Sequence, residues 1–192
     1  FPSEAIIRFV NKHIRRRIGV DTYTKNFEVP PSILEIGSGS GRHLVFLAQA
    51  GFRPTGVELS SIACDQARAL LRHEGLAPDA YEIINGSATE LPVADGSFDY
   101  AVSAATLDSM PTATARSAIA EIHRALRPGA LFFADLIADD VLRPGQVDEN
   151  GDQLVTERHE SGTVQSYFNK EKIDDLFEGF EIREIYKTLT AS

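Results

Sequence analysis

The sequence predicts an α/β fold, a doubly wound and mostly parallel sheet with helices on both faces. Three observations predict it. Strand-like segments alternate with helix-like segments between residues 32 and 136, which is the pattern of βαβ units. Two strand-like segments, 33–36 and 130–136, are almost entirely apolar, as expected when both faces of a parallel sheet are covered. A turn with three glycines spaced by two, Gly37, Gly39 and Gly41, joins the first strand to a helix.

An amphipathic helix is predicted before the sheet, over residues 4–18. Its apolar residues fall on one stripe at helical spacing: Ile6, Ile7, Val10, Ile14 and Ile18. Basic residues between Lys12 and Arg17 occupy much of the remaining surface, and Gly19 marks its end. Residues 20–31, which end in two prolines, are interpreted as a linker.

The alternating elements follow in order, each bounded by glycine or proline. Strands are predicted at 33–36, 53–58, 81–85, 98–104 and 130–136, and helices at 42–50, 61–74 and 113–127. Residues 137–162 break the rhythm with several turn pairs and many acids, and we interpret them as a lid-like excursion that carries a short hairpin. A strand at 163–168, a helix at 170–178 and a strand at 180–187 complete the chain.

These elements fit one domain over residues 1–192. Its parts are an N-terminal helix and linker (1–31), a ligand-binding core (32–136), the excursion (137–162) and a C-terminal strand, helix and strand (163–192). We expect a monomer or a homodimer.

Composition narrows the class of protein. The net charge of −9 and the pI near 5.0 disfavour a nucleic-acid partner. The single cysteine, Cys64, excludes an internal disulfide and a cysteine-rich metal site, and it fits a reducing compartment. No apolar run approaches ~20 residues, so no membrane span is predicted. We therefore expect a cytoplasmic protein without a bound metal.

The glycine turn and the end of the second strand indicate the ligand. The turn has the spacing G-x-G-x-G, because Arg42 stands where a dinucleotide-binding turn has its third glycine. A side chain there crowds a pyrophosphate, so a nucleoside without phosphates is favoured. Glu58 ends the second strand about twenty residues beyond the turn, where a carboxylate can accept hydrogen bonds from both ribose hydroxyls.

These motifs resemble those of the class I S-adenosylmethionine-dependent methyltransferases, which have a Rossmann-like fold. The resemblance rests on Glu35-x-Gly37-x-Gly39-x-Gly41 followed by Val57-Glu58-Leu59-Ser60, and on the segments 88–92, 97–100 and 126–131 in the family's order. It implies that S-adenosylmethionine is the cofactor, that S-adenosylhomocysteine is the product, and that a methyl acceptor is the substrate. The implied cofactor-binding residues are Glu35, Gly37, Ser38, Gly39, Gly41, Glu58, Leu59, Ser60, Ser87, Ala88, Ser103 and Ala104.

The resemblance also implies a role for each group. The glycine turn lines the methionine and ribose, Glu58 holds the ribose, and Glu35 orients the turn or the amino group through water. Ser87 and Ala88 flank the adenine, while Ser103 and Ala104 face the transferable methyl group.

Two departures from the family pattern stand out. Ser87 replaces the acid that many relatives use to bind the adenine amine, so we expect backbone groups and apolar contact from Leu59 and Ala88 to contribute more. The strand at 180–187 is counted as the family's sixth, and its seventh, antiparallel strand has no counterpart before Ser192, which we interpret as a trimmed or disordered tail, since proteins avoid an open sheet edge.

The acceptor is predicted to be a small molecule methylated at oxygen or nitrogen. Asp108, His43 and His159 are the candidate bases, although His43 could instead cap or pack at the start of its helix. The sequence after the fourth strand, residues 104–110, lacks the Asn/Asp-Pro-Pro-Tyr/Phe motif of adenine-N6 and glutamine methylation. Cys64 lies in a helix, which disfavours covalent catalysis.

Other functions stay open at this point. The basic run from Lys12 to Arg17 leaves an RNA methyltransferase possible, and a protein methyltransferase is a second macromolecular alternative. A catalytically silent cofactor-binding or partner protein would share the same motifs. A nicotinamide oxidoreductase would need room for pyrophosphate beside Arg42.

Overall fold

Five parallel strands form the central sheet of the computed structural model, which describes residues 1–15, 18, 22–23, 28–141, 147–155 and 163–188. The strands are β1 (Ser32–Ile36), β2 (Arg53–Glu58), β3 (Glu82–Asn85), β4 (Phe98–Ala104) and β5 (Leu126–Asp135), and their spatial order is β3-β2-β1-β4-β5. All four neighbouring pairs are parallel. The predicted parallel α/β fold is confirmed. The strands β2 and β3 lie on one side of β1, and β4 and β5 lie on the other. Ligands of such sheets bind at the point where the strand order changes direction in this way.

Helices cover both faces of this sheet. They are α1 (Glu4–Phe9), α2 (Arg42–Gln49), α3 (Ser61–His73), α4 (Thr112–Ala125) and α5 (Lys170–Leu176). Alternation along β1 divides the core: Ile33 packs with Ile6, Val10 and Leu47 on one face, whereas Leu34 and Ile36 pack with Ile122 and Ala125 on the other. Among the described residues no helix combines the length and apolarity that crossing a bilayer requires.

The N-terminal helix is shorter than predicted. After α1 it widens into a π-helical turn, Val10–Ile14, and Arg15 is already extended, so the predicted end at residue 18 is wrong. Lys12 contacts Glu184 through Nζ at 2.6 Å, and the Arg15 guanidinium lies 3.9 Å from the ring centre of Tyr23. These partners explain two members of the basic run by packing within the chain, while Arg16 and Arg17 lie outside the described residues.

β5 begins earlier than the sequence pattern suggested. The helix before it ends at Ala125, and Leu126 is extended and already pairs with Phe98. Pro128 and Gly129 therefore lie inside the strand, at an irregularity in its register with β4, rather than before it. Proline cannot donate to a ladder, and Gly129 has a φ of +80°, so both residues suit such an irregularity.

The antiparallel pair after the central sheet joins one strand of the excursion to the predicted strand at 163–168, so the hairpin is not contained in residues 137–162 as expected, and the last predicted strand does not form. Strands β6 (Asp152–Leu154) and β7 (Val164–Ser166) pair in antiparallel fashion, apart from the central sheet. Residues 181–188 include Ile182, Ile185 and Tyr186, yet they are irregular and exposed, and the described part of the central sheet has five strands. A strand needs a neighbour to bond with, and here side chains hold the segment, through Glu184 and through an ion pair of Lys187 with Asp140.

Candidate functional site

The carboxyl ends of β1, β2 and β4 bring the predicted site residues together. Ile36 lies opposite Val57 on one side and Ser103 on the other, so the loops that follow these strands leave the sheet at one edge. The glycine turn, the segment after Glu58 and the loop after Ala104 therefore meet there, which we call the carboxyl edge.

The three glycines of the turn are required for different structural reasons. All have positive φ, at +68° for Gly37, +52° for Gly39 and +84° for Gly41. A Cβ on Gly37 would lie 2.1 Å from Thr106 Oγ1, and one on Gly41 would lie 2.8 Å from Ala67 Cβ, whereas one on Gly39 would have no atom within 4 Å. Gly37 and Gly41 thus allow close packing, and Gly39 presents an open face.

Glu58 is oriented toward this open face. Its Oε2 accepts the N–H of Gly39 at 2.9 Å, and its Oε1 accepts the N–H of Ser60 at 2.8 Å. Each carboxylate oxygen keeps a second lone pair with which it can accept a hydrogen bond from a ligand. Leu59, the next residue, is 77% exposed, so an apolar side chain next to Glu58 in the sequence is accessible to solvent.

Sequence reasoning missed Asn85, which fixes the chain that carries Glu58. The Asn85 Nδ2 group donates to the carbonyl oxygens of Glu58 and Leu59, at 2.9 Å in both cases. The position of Asn85 was the available signal, because it ends β3 directly opposite Glu58.

Ser87 and Ala88, two predicted cofactor-binding residues, follow β3. The Ser87 Oγ accepts the Thr89 N–H at 3.2 Å, and Ala88 is half-buried against two apolar clusters.

His43 is buried, and both of its ring nitrogens are engaged. Nε2 lies 3.1 Å from the backbone nitrogen of Ser3, and Nδ1 lies 2.6 Å from Oε1 of Glu35. Glu35 itself is buried in β1, and that burial raises the pKa of its carboxyl group, although the His43 hydrogen bond opposes the shift. His43 therefore occupies a packed position at the start of α2, and neither ring nitrogen is free to accept a substrate proton.

Four buried side-chain atoms of the described residues have no hydrogen-bond partner, and all four belong to β1, β4 or the loops that follow these strands. They are Glu35 Oε2, Ser38 Oγ, Ser103 Oγ and Asp108 Oδ1. Buried polar atoms without partners are rare in native proteins because desolvation is not compensated. Their concentration in β1, β4 and the loops that follow them marks this edge as a site for a polar ligand.

Asp108 has the most perturbed environment of the candidate bases. It is only 3% exposed, and burial raises the pKa of its carboxyl group to about 6, with a further contribution from the negative charge of Asp135. Its backbone carbonyl accepts hydrogen bonds from the Ser166 N–H at 2.7 Å and from the Gln165 side chain at 2.5 Å. Sequence reasoning missed this support, because β7 lies far along the chain from Asp108.

The loop that carries Asp108 also begins with strained backbone. Ala105, directly after β4, has a φ of +52°, a conformation that residues other than glycine rarely adopt. Ser103 and Ala104 end the strand before it, and Ser103 is fully buried. The third candidate base, His159, lies outside the described residues.

The antiparallel pair of β6 and β7 docks on the other end of this loop. Asp152 of β6 accepts hydrogen bonds from the backbone and the side chain of Thr112, at 2.8 and 2.6 Å, and from Ser166 Oγ at 2.5 Å. The same Ser166 hydroxyl lies 2.6 Å from the carbonyl oxygen of Met110. The hairpin thus holds the loop between β4 and α4 on which Asp108 lies.

Comparisons with known proteins agree with this geometry. A family model described as a methyltransferase domain matches residues 33–129. An uncharacterized methyltransferase of Synechocystis is 31% identical over 110 residues, which are 56% of this chain and 49% of that protein. A protein-L-isoaspartate O-methyltransferase of Nitrobacter winogradskyi is 35% identical over 85 residues, 44% of this chain and 38% of that protein. The chain thus spans half or less of the length of these curated relatives.

Solved structures show the same architecture. An S-adenosylmethionine-dependent methyltransferase from Methanosarcina mazei superposes with a TM-score of 0.69 at 27% identity, over 80% of each chain. A protein from Pyrococcus horikoshii has a TM-score of 0.68 at 16% identity, over 97% of this chain and 84% of that one, a similarity of fold alone. With the matched family model, the Rossmann-like sheet and the glycine turn, we conclude that this chain belongs to the methyltransferase domain family, whose class I members use S-adenosylmethionine as cofactor.

Proposed function

We propose that this protein transfers the methyl group of S-adenosylmethionine to an oxygen or nitrogen of a small molecule. The observation that carries the proposal is Asp108, a buried acid with an unpartnered oxygen in the loop directly after β4. Such a group suits the task of accepting a proton from a nucleophile, because its pKa near 6 leaves it ionised at neutral pH yet more basic than an ordinary aspartate.

The residues at the carboxyl edge fit the cofactor. Glu58 has acceptor capacity left for the ribose hydroxyls, beside the open face of Gly39. Leu59 offers an exposed apolar side chain for the adenine, and the unpartnered atoms of Glu35 and Ser38 offer acceptors near the turn for the methionine portion. We assign the other predicted cofactor-binding residues to the same site on their position at this edge.

The chemistry divides simply between cofactor and protein. Bound S-adenosylmethionine supplies a methyl group that its sulfonium already activates. Asp108 accepts the proton of the acceptor's hydroxyl or amine, and Ser103 is available to hydrogen-bond the acceptor. Ser166 and Gln165 hold the backbone of Asp108, so the carboxylate stays where an acceptor must be aligned.

The acceptor class is tested by a transfer assay with isotopically labelled S-adenosylmethionine. The protein is incubated separately with a metabolite extract, with an isoaspartyl peptide and with RNA, and the label is followed into each. We expect label in the small-molecule fraction, and much less with Asp108→Asn. Label in the peptide alone would instead favour protein carboxylate methylation, which the similarity to an isoaspartate O-methyltransferase makes the second candidate.

Glu58→Ala should weaken binding of S-adenosylmethionine. The loss of charge-assisted hydrogen bonds to the ribose costs about 1.5–3 kcal/mol, or roughly 10- to 150-fold in Kd. Isothermal titration calorimetry measures it, and thermal unfolding verifies that the variant folds, since the Gly39 and Ser60 N–H groups also lose their acceptor. Glu74→Ala, at an exposed glutamate that follows the last turn of α3, is the matched control. Unchanged affinity in Glu58→Ala would refute the ribose assignment.

A further inference from the structure

A chain of hydrogen bonds links the N-terminal segment to the glycine turn. It runs from the Ser3 backbone nitrogen to His43 Nε2 at 3.1 Å, and from His43 Nδ1 to Glu35 Oε1 at 2.6 Å. Ser3 is the residue before α1, His43 is the second residue of α2, and Glu35 lies two residues before Gly37. The segment before α1 thus meets β1 and α2, some forty residues along the chain, at one buried imidazole.

The direction of each hydrogen bond follows from the chemistry of the groups. A backbone N–H can only donate, so His43 Nε2 must be the acceptor and carries no proton. The proton of a neutral imidazole is then on Nδ1, which donates to Glu35 Oε1. The tautomer of His43 is therefore set by Ser3 at one end, and the orientation of the Glu35 carboxylate is set by His43 at the other.

The second oxygen of the Glu35 carboxylate completes the arrangement. Oε2 is buried without a hydrogen-bond partner, on a residue that lies two positions before Gly37. A donor from a bound ligand at Oε2 would favour the ionised carboxylate, and an ionised acceptor strengthens the hydrogen bond from Nδ1. That bond holds the imidazole in the orientation that Ser3 requires, so the occupancy of Oε2 and the docking of Ser3 favour each other.

The rest of the N-terminal segment packs on the core, so the hydrogen-bond chain can influence its position. Ile6, Phe9 and Val10 are buried against Ile33 and Leu47 of the core, so the segment is a packed cover over one face of the sheet. Ser3 immediately precedes α1, and its side chain does not cap the helix. The hydrogen bond from its backbone N–H to His43 therefore attaches the start of α1 to the start of α2.

We propose that His43 is a positioning residue that couples docking of the N-terminal segment to cofactor binding, through the Ser3–His43–Glu35 chain. The inference rests on the cofactor site of the proposed function but not on methyl transfer. Because such coupling is reciprocal, S-adenosylhomocysteine should slow hydrogen exchange in residues 1–14, and loosening Ser3 should weaken binding of the same ligand.

Ser3→Pro tests the coupling with little other change. Proline removes the backbone N–H, while the φ of Ser3, −60°, already suits a proline ring. We expect the Kd of S-adenosylhomocysteine to rise roughly 3- to 10-fold, the size of one hydrogen bond, and the ligand-dependent slowing of exchange in residues 1–14 to disappear. Ser3→Ala, which keeps the N–H, is the matched control and should behave as the wild type.

Two substitutions of His43 separate the halves of the chain. His43→Asn places an amide nitrogen near the position of Nδ1 and keeps a donor for Glu35, but it cannot reach Ser3. His43→Gln places an amide oxygen near the position of Nε2 and keeps an acceptor for Ser3, but it loses the donor at Nδ1. We expect both variants to fold and both to lose the ligand-dependent slowing of exchange, because the coupling needs both bonds.

The outcomes separate this inference from the proposed function. Wild-type affinity and wild-type exchange slowing in Ser3→Pro and in both His43 variants would overturn the coupling. A protein that binds S-adenosylhomocysteine but methylates no acceptor would contradict the proposed function, while the binding and exchange measurements would still decide the role of His43.

Discussion

Gly37→Ala is expected to lower the free energy of unfolding by about 2–5 kcal/mol. Its Cβ would lie 2.1 Å from Thr106 Oγ1 and 2.5 Å from Thr106 Cγ2, a clash with a side chain anchored on the loop after β4. Overpacking of this kind costs about 1–3 kcal/mol, and a side chain at a φ of +68° adds about 1–2 kcal/mol. Urea denaturation of the purified variant measures the change.

Gly39→Ala is the matched control for this result. Gly39 has a similar positive φ, +52°, but a Cβ there would have no atom within 4 Å, so only the backbone strain of about 1–2 kcal/mol remains. The double variant Gly37→Ala/Thr106→Ala should recover part of the loss, because it removes the two atoms nearest to the new Cβ, Thr106 Oγ1 and Cγ2. Equal destabilisation by Gly37→Ala and Gly39→Ala would contradict the packing argument.

The contrast between these glycines shows what the sequence could predict. The strand, turn and helix around Gly37 follow from local patterns, and the structure confirms them. The partner that makes Gly37 necessary, Thr106, could not be predicted, because it reaches the turn only through the pairing of β1 with β4. A spacing motif identifies which residues are glycine but not which neighbours forbid a side chain.

The same distinction applies to the rest of the site. Glu58 was predicted from its position at the end of a strand, and it does lie beside the turn. His43 was a candidate base because it follows the turn, yet its environment is set by Ser3 and Glu35, and the Ser3 contact is not local in sequence. The segment 180–187 has a strand-like pattern, but a strand also depends on a neighbouring partner, which periodicity within the segment does not reveal.

Asp108→Asn is expected to lower kcat by about 100- to 10,000-fold, the range typical of the loss of a general base. In the wild type, kcat should fall as pH drops through about 6, because protonation of Asp108 removes the acceptor for the substrate proton. The residual activity of the variant should lack this dependence. Rates measured between pH 5 and 8 with the acceptor found by the transfer assay check both expectations. A full wild-type rate in the variant would exclude Asp108 as the base.

The same substitution should stabilise the fold at neutral pH. The folded pKa of Asp108, about 6, lies above its ordinary value of 3.8, so the folded protein binds this proton more tightly than the unfolded chain does. The stability linked to the protonated form is fully present below about pH 4, and it is lost as pH rises through about 6. Above that pH the ionised, buried carboxylate costs up to about 3 kcal/mol, a cost that the neutral amide of the Asp108→Asn variant would not incur.

Urea denaturation at pH 5 and at pH 7.5 distinguishes the catalytic role of Asp108 from a structural one. The variant should exceed the wild type in stability at pH 7.5 and by less at pH 5, while Asp79→Asn, at an exposed acid before β3, should show no such difference. An acid kept for the fold would lose stability and activity together when replaced. The Asp108→Asn variant is expected to gain stability and lose activity, because a buried carboxylate with one oxygen unpartnered is unfavourable for folding and useful only when a substrate brings a proton to it.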